Sequence, residues 1–224
     1  MKYAAVVVGF NHWHGDSRYD KKFTCDFVLA LKQHNPDLHI LLVDNFSNRP
    51  YPADIGENVE TLRLLRRVGY SAALNAGLER LERDDYDWYV CFNNDCWIDP
   101  NPAYSGNITN ILKGMDPHVL YGSGENRDRQ RQTVMQWSAW LCISREIFKA
   151  VGYFDEKLVA AFEDFDYELR ALKEGFTLDT AHFPIVHLDE HTRFEDENYQ
   201  AGWEKARIYF NLKHSLEAEK WFKV

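Results

Sequence analysis

Short apolar runs alternate along this chain with longer stretches whose apolar residues recur at helical spacing. Tyr3 to Val8 is an uncharged run ending at Gly9 and predicts a buried strand. Ser17 to His34 follows a helical period, with Phe23, Phe27, Val28 and Leu31 on one face, and Asn35-Pro36-Asp37 stops it. His39 to Val43 predicts a second strand and Val59 to Leu62 a short third. Leu74, Leu78 and Leu81 then mark a helix that follows Gly69. Trp88 to Phe92, aromatic and β-branched without a charge, predicts a strand buried on both faces. Such alternation indicates an α/β fold with a mainly parallel central sheet flanked by helices.

The second half is patterned less regularly. Pro102 to Lys113 predicts a helix, Val119 to Gly122 a strand, and the polar, arginine-bearing Gly122 to Thr133 a mobile loop. Trp137 to Ile143 predicts a strand, and Ser144 caps a brief helix, Arg145 to Val151, with Glu146 in its first turn. A turn at Gly152 to Glu156 leads to a helix carrying Phe165, Leu169 and Leu172 on one face and ending at Gly175. Thr177 to Thr180 and Pro184 to His187 read as short strands. Asn198 to Phe222 reads as an amphipathic helix packed through Trp203, Ile208, Leu212 and Leu216.

Where the strands end, the chain turns polar. His39 to Val43 runs into Asp44-Asn45-Phe46-Ser47, and Trp88 to Phe92 into Asn93-Asn94-Asp95. Asn and Asp are ordinary turn formers. Ligands of open α/β sheets, however, bind at the carboxyl ends of the strands, and a carboxylate beside amides offers hard oxygen donors to Mg²⁺ or Mn²⁺. Gly69, with Asn75 and Gly77 in the helix that follows, marks a close approach of a ligand or of another backbone.

Composition narrows the choice. A net charge of −9 argues against nucleic acid as a partner, because backbone phosphates require a basic face. Cys25, Cys91, Cys96 and Cys142 form no metal-type pair and read as reduced thiols, which together with the lack of a signal peptide predicts a cytoplasmic location. No run reaches transmembrane length.

Several motifs, in this order, resemble those of family-2-type glycosyltransferases with the GT-A fold, near the rhamnosyltransferase-like group. Val43-Asp44-Asn45-Phe46-Ser47 resembles the family's Val-Asp-Asn-Gly-Ser, and Arg67 to Gly77 its Asn-x-Gly and Asn-x-Gly stretch. Phe92-Asn93-Asn94-Asp95 is similar to its DxD-type motif. The run Ser138 to Phe148 with Gly152-Tyr153-Phe154-Asp155-Glu156 resembles its acceptor-side strand and turn, and Phe162-Glu163-Asp164 its Glu-Asp motif. Three positions depart from the pattern: Asn93 stands for Asp, Phe46 for Gly and Arg67 for Asn.

The resemblance implies a single domain, with 1–100 as the nucleotide-sugar-binding half and 101–224 as the acceptor-binding half with a C-terminal helix. It implies a metal-dependent, inverting hexosyl transfer from a nucleotide diphosphate sugar, UDP first and dTDP or GDP next, to a hydroxyl of a glycan or other acceptor. Asp44, Arg67, Gly69, Asn75, Asn93 and Asn94 would line the nucleotide site, and Asp95 and His187 would hold Mn²⁺ or Mg²⁺. Asp164 would be the catalytic base, with Glu163 the alternative. Acids at a helix start also simply complement the helix dipole, and Asp166 with Arg170 reads as a structural pair. Trp13, Trp97, Trp137 and Trp140 could stack on a sugar or pack in the core, with Trp140 the best placed for the acceptor. Rival readings are a metal-dependent hydrolase built on His187, Asp189 and His191, a sugar-phosphate nucleotidyltransferase, and a non-catalytic binding module; His12 and His14, which could also ligate a metal, read as solvated loop histidines.

Overall fold

The computed structural model describes residues 1–10, 21–99, 107–123, 139–187 and 197–221. Its first half runs β1 (Tyr3–Gly9), α1 (Lys21–His34), β2 (Leu38–Asp44), β3 (Val59–Arg63), α2 (Tyr70–Glu82) and β4 (Trp88–Asn93). Then come β5 (Cys96–Ile98), α3 (Ile108–Leu112), β6 (Val119–Gly122), β7 (Trp140–Ser144), α4 (Arg145–Val151), α5 (Glu163–Lys173), β8 (Thr177–Thr180), β9 (Ile185–His187) and α6 (Glu197–Trp221).

Among the described residues, a seven-stranded sheet has the order β3-β2-β1-β4-β7-β6-β8, and β5 pairs with β9 in a separate two-stranded sheet. β1 to β4 lie parallel, because each is separated from the next by a crossover or a long loop. β7 runs antiparallel to both its neighbours, so "mainly parallel" holds with β7 as its exception. The chain winds from β1 outward to β3, then returns through α2 to place β4 on the other side of β1. The carboxyl ends of β1 and β4 therefore flank a topological switch point, where such sheets bind ligands.

Alternation along the strands divides the core. Tyr3, Ala5, Val7, Ile40, Leu42, Val90 and Phe92 pack against Phe27, Val28 and Leu31 of α1 and Ile108 and Leu112 of α3. Ala4, Val6, Val8, Leu41, Val43 and Cys91 face α2, α4 and α5. Gly77 lets α2 lie flat on this second face: a Cβ there would sit 2.7 Å from Val6 Cγ1 and 3.0 Å from Val43 Cγ2. The Ser144 cap appears as expected, its hydroxyl accepting the Ile147 N–H at 3.1 Å. All four cysteines are free thiols.

The C-terminal helix departs from its expected face. Ala206, Phe210 and His214 are buried, one turn apart, against Leu158, Phe165 and Leu169, whereas Ile208 and Leu212 lie exposed. The apolar residues were too sparse among charges to define the stripe; the partner helix selects it. Polar contacts anchor α6 as well. Lys213 Nζ donates to Asp155 and to Asp166 at 2.6 Å each, and His214 Nε2 meets Asp166 Oδ1 at 2.8 Å. Asp166 also receives Arg170 Nε at 2.8 Å, the expected intrahelical pair. Burial opposes charge on Asp155, but hydrogen bonds from Lys213, the Lys157 N–H and Tyr209 outweigh it and lower its pKa to about 2.

This shift sets a pH window. A carboxyl whose folded pKa is depressed stabilises the fold fully above its unfolded value, near 4 (~3.9), and progressively less as the pH falls below it. The melting temperature is expected to drop between pH ~4 and ~2, and Asp155→Asn is expected to start lower and fall less steeply over that interval. A pH series of thermal melts on both proteins checks this.

No helix among the described residues is long and apolar enough to cross a membrane. The loop expected over 122–133 falls, from 124 onward, outside the described residues, as do His12, Trp13, His14, Trp137, Asp189 and His191.

Candidate functional site

The carboxyl end of β4 carries the expected polar turn. Asn93 is the last residue of β4, and β1 places Val8 beside it in register. Asn93, Asn94 and Asp95 then lead directly into β5. That short strand, not evident in the pattern, pairs Cys96 with His187 of β9. Its pairing brings together residues 92 positions apart: His187 Nε2 lies 3.1 Å from Asp95 Oδ1, with the two side chains 8% and 17% exposed. Asn93 Nδ2 lies 3.4 Å from the same nitrogen. Asn93 Oδ1 accepts the Tyr70 hydroxyl at 2.8 Å, and Asn94 Nδ2 donates to Thr24 Oγ1 at 3.2 Å. Of the residues expected at the donor side, the structure thus unites Asn93, Asp95 and His187 in one cluster.

Tyr70 belongs to that cluster and has no counterpart among the expected site residues. Burial first, and the nearby Glu163 charge second, raise its pKa well above the ordinary tyrosine value, so it remains a donor. Only its position, directly after Gly69 at the helix start, could have drawn attention to it in the sequence.

At the end of β2 the sequence reading needs correction. Asp44 is fully buried, and its oxygens serve the protein. Oδ1 accepts the Ser47 N–H at 2.8 Å, while Oδ2 accepts the Tyr51 N–H at 3.3 Å and Arg63 Nη1 at 2.5 Å. Arg63 arrives because β3 sets it in register with Asp44. Asp44 therefore shapes the loop rather than presenting a vacant carboxylate. Phe46 holds φ = 61°, the left-handed backbone that favours glycine. Here the Arg63 guanidinium lies over its ring at 5.5 Å.

Gly69 and Asn75 are likewise turned to internal partners. A Cβ on Gly69 would fall 2.9 Å from the Val159 Cα, so the close approach is that of another backbone. The Asn75 side chain donates to the Phe154 carbonyl and accepts the Phe154 N–H, each at 2.9 Å, and thereby holds the Gly-Tyr-Phe-Asp-Glu turn. Asn45, which was not singled out, makes the same double bond to the backbone of Val68 at 2.9 Å. These amides tie Val68 to the end of β2 and α2 to the 152–156 turn. Arg67, in contrast, is exposed at the β1 end, its guanidinium 4.0 Å from the Phe10 ring centre.

The Glu-Asp pair opens α5. Phe162 precedes it with φ = 68° and turns the chain into the helix. Asp164 Oδ1 accepts the Phe165 N–H at 2.9 Å, and both acids are half-buried. Glu163 is the member whose charge reaches Tyr70.

Trp140 is the clear miss. It is buried in the face covered by α1 and α3, stacked 5.8 Å from Phe183, with its indole N–H on the Ala181 carbonyl at 3.3 Å. Strand alternation points it inward, which removes it as an acceptor platform. Trp97 points outward on β5 opposite Val186 and is 38% exposed.

Comparison with known proteins bears on the fold. Residues 25–114 match the model of Glycosyl transferase family 2. No curated protein sequence matches the chain. The fold is similar to mannosyltransferase PcManGT from Pyrobaculum calidifontis, in complex with GDP-Man and Mn²⁺. The TM-score there is 0.68 at 15% identity, covering 100% of this chain and 65% of that one, so this chain spans less than two thirds of its relative. It is also similar to GalNAc-T7 with UDP, GalNAc and Mn²⁺, with a TM-score of 0.53 at 17% identity over 83% of this chain and 43% of that one. A third similar structure is a mutant Drosophila β1,4-galactosyltransferase 7 with manganese, UDP-Gal and xylobiose, with a TM-score of 0.51 at 12% identity over 88% of this chain and 75% of that one. The switch-point sheet with its antiparallel β7 gives the chain the GT-A fold, and its residues 25–114 match the glycosyl transferase family 2 model.

Proposed function

We propose that this chain transfers a hexosyl residue from a nucleoside diphosphate sugar, UDP-linked in the first instance, to an acceptor hydroxyl with inversion. The observation that carries the reading is the convergence of Asp95 and His187 at 3.1 Å beside the switch point. The nearest supporting chemistry is that PcManGT, GalNAc-T7 and the galactosyltransferase are each described with a nucleotide or nucleotide sugar and manganese.

The donor set fits a bridging cation. Among the described residues no group of three His, Cys, Asp or Glu side chains could enclose a metal. The Asp95 carboxylate and the His187 imidazole would together hold a divalent cation on a bound diphosphate. The nitrogen favours Mn²⁺ over Mg²⁺, whose sites are built from oxygen. Bound there, the cation would offset the negative charge gathering on the departing diphosphate.

The chain's own residues supply the rest. Asp95 and His187 hold the diphosphate end of the donor. Arg67, exposed at the same sheet edge, meets the nucleotide, in a pocket whose walls Asp44, Gly69 and Asn75 keep in shape. Asp164, with Glu163 beside it, removes the acceptor proton. The donor side draws on the first hundred residues and the acceptor side on the remainder, with His187 crossing from the second half to the donor.

Asp95 decides the metal. UDP with Mn²⁺ is expected to raise the melting temperature well above the value for UDP with EDTA, since a ligand that binds only the folded state stabilises it. Asp95→Ala is expected to abolish that difference while leaving the ligand-free melt unchanged. Equal stabilisation with and without metal in the wild type would refute the assignment. GDP in place of UDP, run in the same series, tests the base.

A further inference from the structure

Tyr70 holds two parts of the molecule at once. Its N–H donates to the Val159 carbonyl at 3.0 Å, and the next residue, Ser71, donates its hydroxyl to the Leu158 carbonyl at 2.5 Å. Gly69 lies against Val159 on the other side. The start of α2 is thus locked onto the segment that leads into Glu163 and Asp164. From this fixed base the Tyr70 hydroxyl crosses to Asn93 Oδ1 at 2.8 Å.

That bond selects the orientation of the Asn93 amide. An O–H donor on Oδ1 leaves Nδ2 to face the other way, and there it meets His187 Nε2 at 3.4 Å. His187 Nε2 has two neighbours with opposite demands. Asp95 Oδ1, at 3.1 Å, suits a proton on this nitrogen, whereas the Asn93 amide, at 3.4 Å, suits a lone pair there. A ligating histidine must be neutral with that lone pair available, and the groups around the ring decide which tautomer prevails.

We propose that Tyr70 is a positioning residue for the donor-side metal ligands: held on the 158–159 segment, it fixes through Asn93 the turn that sets Asp95 beside His187 Nε2. The role rests on the glycosyltransfer reading above. It also links the two sides of the reaction, because the residue that orients the metal ligands is anchored on the segment presenting the acids. Tyr70 touches neither sugar nor phosphate in this account; it acts through Asn93.

The test is Mn²⁺ affinity, read from the paramagnetic resonance signal of free Mn²⁺ titrated into protein saturated with UDP. Tyr70→Phe is expected to weaken Mn²⁺ binding by about ten- to a hundredfold, as loss of an outer partner of a metal ligand does. Its metal-free melt should stay near wild type. Asn93→Ala should give a similar loss, and the double variant should lose no more than either alone, because the two act in one chain of contacts. Wild-type Mn²⁺ affinity in Tyr70→Phe would overturn the role and leave the glycosyltransferase reading standing. Undiminished loss from Tyr70→Phe on the Asn93→Ala background would show another route and overturn it too. Absence of Mn²⁺ binding in the wild type would overturn the reading and the role with it. Should Tyr70→Phe fail to fold, Asn93→Ala is decisive alone: unchanged Mn²⁺ affinity there overturns the proposal.

Discussion

Replacing Asp164 by Asn is expected to lower sugar transfer by roughly two to four orders of magnitude, the usual worth of a positioned general base. The change keeps the shape of the side chain and its ability to accept the Phe165 N–H, the bond seen at 2.9 Å, so the start of α5 should stay intact. What is lost is the capacity to take a proton from the acceptor hydroxyl. Stabilisation by UDP and Mn²⁺ should remain near wild type, because Asp95 and His187 are untouched. Glu163→Gln sets the comparison. The Glu163 charge bears on the Tyr70 phenol, so its loss should disturb the donor side more than proton removal. Full loss in Glu163→Gln with an active Asp164→Asn would transfer the base role to Glu163. Undiminished transfer by both variants would return these acids to the helix-start role that any acid can play. Wild-type protein that binds the donor with Mn²⁺ but transfers nothing would identify a binding module instead of an enzyme.

The second large effect concerns stability. Asp166→Ala is expected to destabilise the fold by about 3 kcal/mol, the lower end of what breaking a buried ion pair costs. Asp166 is fully buried and receives Arg170, Lys213 and His214, so its removal leaves several donors facing a space with no acceptor. The low end applies because Arg170 and Lys213 are 21% and 27% exposed and can turn partly to water. For a chain of this length the loss corresponds to roughly 6–12 °C in melting temperature. Lys213→Met should cost less, since Asp166 keeps Arg170 and His214. Thermal melts of the two variants check the ranking, and a larger loss from Lys213→Met would show that Asp155, its other partner, dominates the docking of α6.

What could be read from the sequence was local. An uncharged run such as Val6 to Val8 or Val90 to Phe92 must be buried, whichever neighbours bury it, and leucines at helical spacing must share a face. Ser144 caps and Asp166 meets Arg170 because both partners lie within one turn. The polar ends of β2 and β4 were visible for the same reason. Which partner each polar group takes was decided by the tertiary structure. Asn75 looks alike in sequence whether its amide meets a nucleotide or, as here, the Phe154 backbone 79 positions away. Trp140 could not be assigned to core or cleft until the direction and register of β7 against β4 were set. His187 reaches Asp95 only through the pairing of two three-residue strands, of which β9 is legible in the sequence and β5 is too short to announce itself. Periodicity records whether a residue faces inward, and that is settled by its immediate neighbours in the chain. The identity of the group it meets depends on contacts between segments distant in the chain, which no local pattern encodes.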